Sequence, residues 1–444
     1  MELSPAARLL LERRYLLPGE TPDALFARVA GAVGGPERSR EFFSLLSRLL
    51  FLPNSPTLMN AGTPAGQLSA CFVLPIEDTL EGIFTSLAHM ALIHRSGGGT
   101  GFSFSRLRPR GDAVNGVVGA ASGPVSFMRV FDAATGAVRQ GGRRRGANMG
   151  VLAASHPDIE EFVTAKRAGG LRNFNLSVGI DGRFLRCLAT GKDYDLTNPR
   201  DGSVSRSIDP ASLWRLIAAS AHASGEPGVL FLDEIDRQST TPHLGPIEAT
   251  NPCGEQPLYP YESCNLGSVN LARCIKNHDI DEDLLATVVR CGIDFLDAVI
   301  DANRFPLPVI REKTLATRKI GLGVMGFAET LIRLGIPYES DEALRFAGKL
   351  MEGIEVLARE RSEELGTAKG SFPAIEGSVY TNDMRNATVT TIAPTGSLHL
   401  IAGTTSGIEP VFSFAYSRVI DGQQVAIVSD LVRELLPATA GGMD

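Results

Sequence analysis

The stretch Asn251-Pro252-Cys253-Gly254-Glu255 decides how the rest of the chain is read. Pro252 biases Asn251 towards extended backbone, and Gly254 admits the close approach of another group. In an extended loop alternate side chains share a side, so an amide, a thiol and a carboxylate are expected to face one way. Such a thiol can act as nucleophile, metal ligand or radical carrier, with the carboxylate as base and the amide orienting a hydroxyl. By itself, Pro-Cys-Gly also fits a plain turn around a buried cysteine.

Two further cysteines bear on that choice. Cys264 lies in Glu262-Ser263-Cys264-Asn265-Leu266, 264 − 253 = 11 residues after Cys253, and Cys71 lies in Leu68-Ser69-Ala70-Cys71-Phe72. Each alone reads as a buried structural cysteine; in one cavity the two can cycle between dithiol and disulfide and supply two electrons. The six cysteines show no C-x-x-C spacing, which suits a reducing cytoplasm and speaks against zinc, so no metal site is expected.

Composition sets the outer bounds. The 444 residues are 43% hydrophobic and 21% charged, as in soluble globular proteins, and carry a formal net charge of −7. That balance disfavours general binding to nucleic acid or membrane surfaces, so any anion site must be local. The N-terminal MELSPAARLLLERRYLL has no signal-peptide layout, and no apolar run reaches the ~18 residues of a membrane span.

Residues 3–50 read as three helices, with Ser4-Pro5 and Thr21-Pro22 as starts, and form an N-terminal helical cap over 1–50. From 51 to 444 the pattern is one catalytic unit of alternating strands and helices. Strands are expected at 101–106, 149–153, 173–180, 228–232, 319–324, 387–392 and 411–416. Helices are expected at 79–95, 124–139, 156–167, 210–223, 281–303, 325–334 and 340–366. Strands separated by helices imply parallel pairing through right-handed crossovers, an α/β class; pattern alone does not separate an open sheet from a barrel.

Several segments suit phosphate. Pro394-Thr395-Gly396-Ser397 follows an expected strand and leads into Leu398-His399-Leu400-Ile401, a turn that can offer N–H groups and hydroxyls, or a bare turn. Ser96-Gly97-Gly98-Gly99-Thr100-Gly101 matches neither the Walker A nor the dinucleotide pattern. Arg106, Arg108 and Arg110 follow in strand register, as a triphosphate clamp or a solvated edge. The loop from Gln140 to Asn148, with Arg143, Arg144 and Arg145, is cationic but lacks interleaved aromatics, which fits one nucleotide better than nucleic acid.

Taken together, these motifs with Pro53-Asn54-Ser55-Pro56-Thr57 and Ala393-Pro394-Thr395-Gly396-Ser397 resemble the catalytic subunit of ribonucleotide reductase, most closely its adenosylcobalamin-dependent class II branch. The resemblance runs from about residue 1 to 420. It implies a ten-stranded α/β barrel of two antiparallel half-barrels with a central finger loop. By this likeness Cys253 holds a thiyl radical that takes the ribose 3′ hydrogen, Glu255 is the base on the 3′ hydroxyl and Asn251 holds the ribose hydroxyls. Cys71 and Cys264 are the reducing pair. Ser55, Ala70 and the turn Pro394, Thr395, Gly396, Ser397 hold the substrate. Asp78 and Arg108 bind an effector, a deoxynucleoside triphosphate or ATP, and the 140–149 loop, with Arg143 and Arg144, links effector to substrate base.

Class II rather than a class I large subunit is expected from the short Cys253–Cys264 gap, from the ~50-residue cap where a regulatory module needs a typical domain's length, and from the 101–110 and 140–150 loops, which read as that branch; a class I subunit would also need a tyrosine pair near its C-terminus, a segment not seen here. The family pattern continues past Asp444 with a last strand and a cysteine pair, so the barrel is expected to lack its last strand. Either the gene is truncated or a second polypeptide completes the barrel. A homodimer, a ribonucleotide substrate and a dithiol reductant such as thioredoxin or glutaredoxin are the other expected partners, with a cytoplasmic location. The competing expectations are a class I large subunit and a non-catalytic paralogue that only binds nucleotides.

Overall fold

The computed structural model describes residues 3–114, 116–140, 144–167, 169–420, 422–429 and 431, without the side chains of 139, 140, 144 and 145. Arg143 and the Arg144 side chain, both expected at the effector site, therefore lie outside the described residues.

Eight strands form one sheet: β1 (Phe51–Pro53), β2 (Cys71–Leu74), β3 (Gly99–Ser103), β4 (Asn148–Ala153), β5 (Phe174–Ile180), β6 (Gly228–Phe231), β7 (Ser263–Asn270) and β8 (Ile320–Met325). The spatial order is β1-β7-β2-β3-β4-β5-β6, with β8 on the other edge of β7. From β2 to β6 every pairing is parallel. β7 runs antiparallel to β2 and β1 and parallel to β8. Two parallel blocks are thus joined in opposite directions, and β7 is the joint. The result is a mixed α/β sheet in which eight strands, against the ten that the resemblance implies, are paired among the described residues.

Helices cover the outside because parallel strands must bury both faces. α1 (Pro5–Arg14) and α2 (Pro22–Ser47) start at the capping residues Ser4 and Thr21, each followed by proline at the first helical position. α2 is two helices joined at Gly35-Pro36, where Gly35 has φ 56°. That break yields the third expected helix. α3 (Leu80–Arg95), α4 (Pro124–Ala137), α5 (Glu282–Ala302) and α6 (Asp341–Lys369) match the periodic segments closely. The caps Thr79, Asp281 and Ser340 each accept a backbone N–H in the first turn.

The cap shares one core with α5, β7 and β8: Leu10, Phe26, Phe42, Phe51, Val269, Phe295 and Val324 are all buried in it. A second core lies between β2–β5 and α3–α4. A small third cluster, Cys71, Val73, Met149, Val151, Cys264 and Leu266, faces the concave side. No helix among the described residues is long and apolar enough to cross a membrane.

Three expectations are corrected. The strand at 101–106 ends at Ser103, where a turn closes through Leu107 N–H to Phe104 O (3.2 Å). Arg106, Arg108 and Arg110 therefore do not share a strand face; they pair with Glu248, Asp78 and Glu161 respectively. Residues 387–392 run along β8 through an isolated bridge of Leu322 to Thr390 and bonds such as Leu322 N–H to Val389 O (2.8 Å) without forming a regular strand, and the strand expected at 411–416 begins only at Ala415, as β9 (Ala415–Ile420) in a hairpin with β10 (Gln423–Val428).

Candidate active site

The finger is a short hairpin, Ala249–Thr250 paired antiparallel with Pro257–Leu258. Between them the chain turns rather than extends. Gly254 N–H donates to Asn251 O (3.1 Å) and Gly254 has φ 91°, a conformation glycine adopts without strain. The shared-face reading of Asn251, Cys253 and Glu255 is accordingly replaced by a turn geometry. Asn251 is buried, while Cys253 is exposed at the tip.

The sheet makes room for this hairpin with glycines. A Cβ on Gly101 would overlap the Thr250 carbonyl, and one on Gly99 would lie 2.7 Å from Pro252 Cγ. On the opposite side a Cβ on Gly321 would meet Gln256 Nε2 at 2.6 Å. Gly99 and Gly101, in the stretch 96–101 that was a candidate ligand loop, thus admit the finger, whereas a Cβ on Gly98 would meet Phe72 and Ile93. Thr100 alternates to the other face, where it joins buried His94 (3.0 Å) and donates to Asn148 Oδ1 (2.7 Å). Burial holds the His94 imidazole down at about 4, so it is neutral at physiological pH.

Around the finger the expected residues come together. Cys71 and Cys264 are directly opposed on β2 and β7. Asn251 Nδ2 donates to Cys71 Sγ (3.1 Å), and Asn251 Oδ1 accepts from Gln256 N–H (2.9 Å). Burial raises the Cys71 thiol well above its usual range, and the nearby Glu255, Cys264 and Cys253 add to the shift. Burial also raises Cys264, with Lys319 pulling the other way. Both groups therefore hold S–H at neutral pH and are poor thiolate nucleophiles but competent hydrogen donors. Burial raises Glu255 too, partly offset by its hydrogen bond with Asn251. Its Oε2 is buried without a partner among the described residues, an acceptor poised for a hydroxyl.

Other residues place this set, and the sequence reading did not single them out. Asn175 Nδ2 donates to Pro252 O (2.7 Å) and Thr391 Oγ1 donates to Glu255 O (3.0 Å), tying both limbs of the finger to the walls. Beneath Cys264, buried Lys319 pairs with buried Glu262 (2.8 Å) and sits over the Tyr259 ring at 4.4 Å. A polar residue inside an apolar strand run, such as Asn175, was the available signal; the partners of Lys319 are visible only in three dimensions.

A cavity of about 360 Å³ adjoins Ala70 and is lined by Ser55, Pro394, Thr395, Gly396 and Ser397. All of the expected substrate-holding residues at 55, 70 and 394–397 meet there. Thr395 has φ 49°, and its Oγ1 accepts from Gly407 N–H (2.8 Å), which pins the turn. Past the other end of β2, Arg108 Nε donates to Asp78 Oδ2 (2.8 Å) and the Arg108 backbone N–H to Asp78 Oδ1 (3.1 Å). These two expected effector residues bond to each other.

Comparison with known proteins agrees with this arrangement. The model of the ribonucleotide reductase barrel domain matches residues 69–384 and 378–440, and that of the ribonucleotide reductase all-alpha domain matches 1–66. A vitamin B12-dependent ribonucleoside-diphosphate reductase of Mycobacterium tuberculosis is 50% identical over 449 residues, covering 97% of this chain and 65% of that protein. One of Thermoplasma acidophilum is 50% identical over 416 residues, covering 92% and 54%. A ribonucleoside-diphosphate reductase subunit alpha of Chlamydia pneumoniae is 28% identical over 451 residues, covering 84% and 43%. The chain thus spans less than two thirds of the length of these relatives. Two family models that together run over nearly all of it, on a finger flanked by an opposed cysteine pair, settle its kinship: the chain belongs to the ribonucleotide reductase family.

Proposed function

We propose that the chain carries the ribose chemistry of ribonucleotide reduction, converting ribonucleoside di- or triphosphates into 2′-deoxyribonucleotides, the precursors of DNA. The observation that carries this reading is the opposed Cys71–Cys264 pair with Asn251 bonded to Cys71 and Glu255 close by. Adenosylcobalamin, named in its vitamin form in the relatives' descriptions, supplies when bound the radical that removes hydrogen from the Cys253 thiol. Cys253 suits that exchange because it is exposed at the finger tip.

The Cys253 sulfur then takes the 3′ hydrogen of the ribose and returns it once the 2′ carbon has been reduced. Glu255 accepts the 3′-hydroxyl proton on its unpartnered Oε2. Asn251, whose amide nitrogen already bonds Cys71 and Glu255, holds the ribose hydroxyls by exchanging one of these bonds for the substrate. Loss of the 2′ hydroxyl as water is matched by oxidation of two thiols, Cys71 and Cys264, to a disulfide, so two electrons and two hydrogens are accounted for. A dithiol such as thioredoxin or glutaredoxin restores the pair. The cavity at Ser55, Ala70 and 394–397 takes the substrate phosphates.

Effector control is assigned to Asp78 and Arg108, with a deoxynucleoside triphosphate or ATP as ligand, and Arg143 and Arg144 on the loop towards the base. Exposed Leu80 and Phe84, one turn apart beside Asp78, and Val130 on the packed α4 offer an apolar face for a homodimer. The test is turnover of a ribonucleotide with adenosylcobalamin and a dithiol, with this chain alone and with polypeptide supplying the remaining length of the relatives. Deoxynucleotide formation supports the reading; none under either condition overturns it.

A further inference from the structure

The cavity beside the 394–397 turn is walled mostly by hydroxyls, small residues and backbone, which offer dipoles but no net charge. Among its described lining residues only two are charged, and both are arginines: Arg14 and Arg418. They come from opposite ends of the chain. Arg14 ends α1, which packs against the short helix Leu398–Ala402 that follows the turn. Arg418 lies on β9 and donates from Nη1 to Gly396 O (3.3 Å). The next residue of α1's exit, Tyr15, bonds Ser55 Oγ through its hydroxyl (2.8 Å), so the same segment that delivers Arg14 also fixes a hydroxyl of the cavity.

We propose that Arg14 and Arg418 are the charge-bearing contacts for the terminal phosphate of a nucleotide held at this turn. The assignment rests on the substrate-phosphate reading of the cavity. A chain with formal charge −7 must concentrate positive charge locally to hold a polyphosphate, and two guanidiniums at one cavity mouth do so. A guanidinium has five N–H donors, so the bond from Arg418 to Gly396 anchors the fork at the turn and leaves donors for phosphate oxygens. The N-terminal helix and the 415–428 hairpin thereby become parts of the binding site rather than packing alone.

The experiment follows hydrogen exchange of residues 393–403 while cytidine 5′-diphosphate or cytidine is titrated into wild-type, Arg14→Gln and Arg418→Gln protein. Protection of this turn reports binding here and not at the Asp78–Arg108 side. Each glutamine variant is expected to raise the diphosphate concentration for half-protection by about tenfold or more, the loss typical of a charged hydrogen bond. The cytidine response should stay unchanged, and Arg14→Lys and Arg418→Lys should recover most of the loss. Diphosphate midpoints that match wild type in both glutamine variants overturn the arginine assignment while leaving the turn as a phosphate site. Absence of protection by the diphosphate in wild-type protein overturns both.

Discussion

Cys71 and Cys264 are direct partners across the antiparallel pairing of β2 and β7, with Phe72 opposite Ser263 in the same register. Opposed Cα atoms in such a pair lie about 4.5–5.5 Å apart, inside the range of about 4.4–6.8 Å that a disulfide spans. All six cysteines are unbridged in the structure, and the register of Cys71 and Cys264 is compatible with a disulfide between them.

One turnover without added reductant is therefore expected to cross-link the peptides containing residues 71 and 264, and no others. Cys71→Ser should remove that cross-link and lower steady-state turnover with a dithiol by more than about a thousandfold. Peptide mass mapping under non-reducing conditions reads the outcome, and a different pairing would sink the role given to these thiols.

Cys253 differs from that pair in being exposed, on a loop tip tied down by Asn175 and Thr391. Cys253→Ser is expected to abolish deoxynucleotide formation while leaving effector affinity within about twofold, because Asp78 and Arg108 make no bond to the finger. Retained turnover with an external dithiol would refute the radical assignment.

Much of the helical frame was legible because helices carry local signals. Thr79, Asp281 and Ser340 mark starts that the structure moves by a single residue, and the apolar period does the rest. Parallel strands such as β4 and β5 were legible as short, mostly apolar runs rich in Val, Leu, Ile and Phe between helical segments. β7 was not. Its sequence, SCNLGSVN, is polar and glycine-bearing, and it is a strand because β1 and β2 bond one edge and β8 the other. The site residues were nameable from motif order, but their convergence through a turn, and the Gly99 and Gly101 clearance that admits it, depend on two segments about 150 residues apart meeting in space.

That clearance gives a test of the finger's seat. Gly101→Ala places a methyl group on the Thr250 carbonyl, a backbone atom that cannot swing aside. Overpacking of this kind costs about 3 kcal/mol or more. Gly31→Ala, in an exposed helical position with nothing within 4 Å, is the control and should stabilise by about 0.5–1 kcal/mol. Thermal unfolding by calorimetry distinguishes them; equal melting temperatures would show that the finger is not seated against β3.

Asp78 and Arg108 are each about a quarter exposed, 25% and 26%. An ion pair so open to water contributes less than about 1 kcal/mol to stability. Asp78→Ala or Arg108→Ala should thus fold normally, keep basal turnover within about twofold, and lose at least about tenfold of any effector-induced change in substrate preference. Turnover of paired substrates with and without a deoxynucleoside triphosphate checks this, and an unaltered effector response would move the allosteric site elsewhere.

Glu255 couples stability to chemistry. Its folded pKa is raised by burial above the ordinary carboxylate value of 4.5, so the protonated form is the one the fold prefers. The stabilisation from that preference is complete below the unfolded pKa and is lost as pH rises through the raised folded value. Above that raised value the wild-type protein carries an ionised, incompletely solvated carboxylate that the fold disfavours and that the base role requires. Glu255→Gln should melt higher than wild type at pH 8, with the difference shrinking as pH falls through the raised folded value and gone below the unfolded value of about 4.5. The same substitution should cost turnover about a hundredfold or more through loss of the base. In wild-type protein the acid limb of the rate profile should lie above the range of a free glutamate. A variant that melts lower at pH 8, or a rate profile flat from pH 5 to 8, would remove Glu255 as the base.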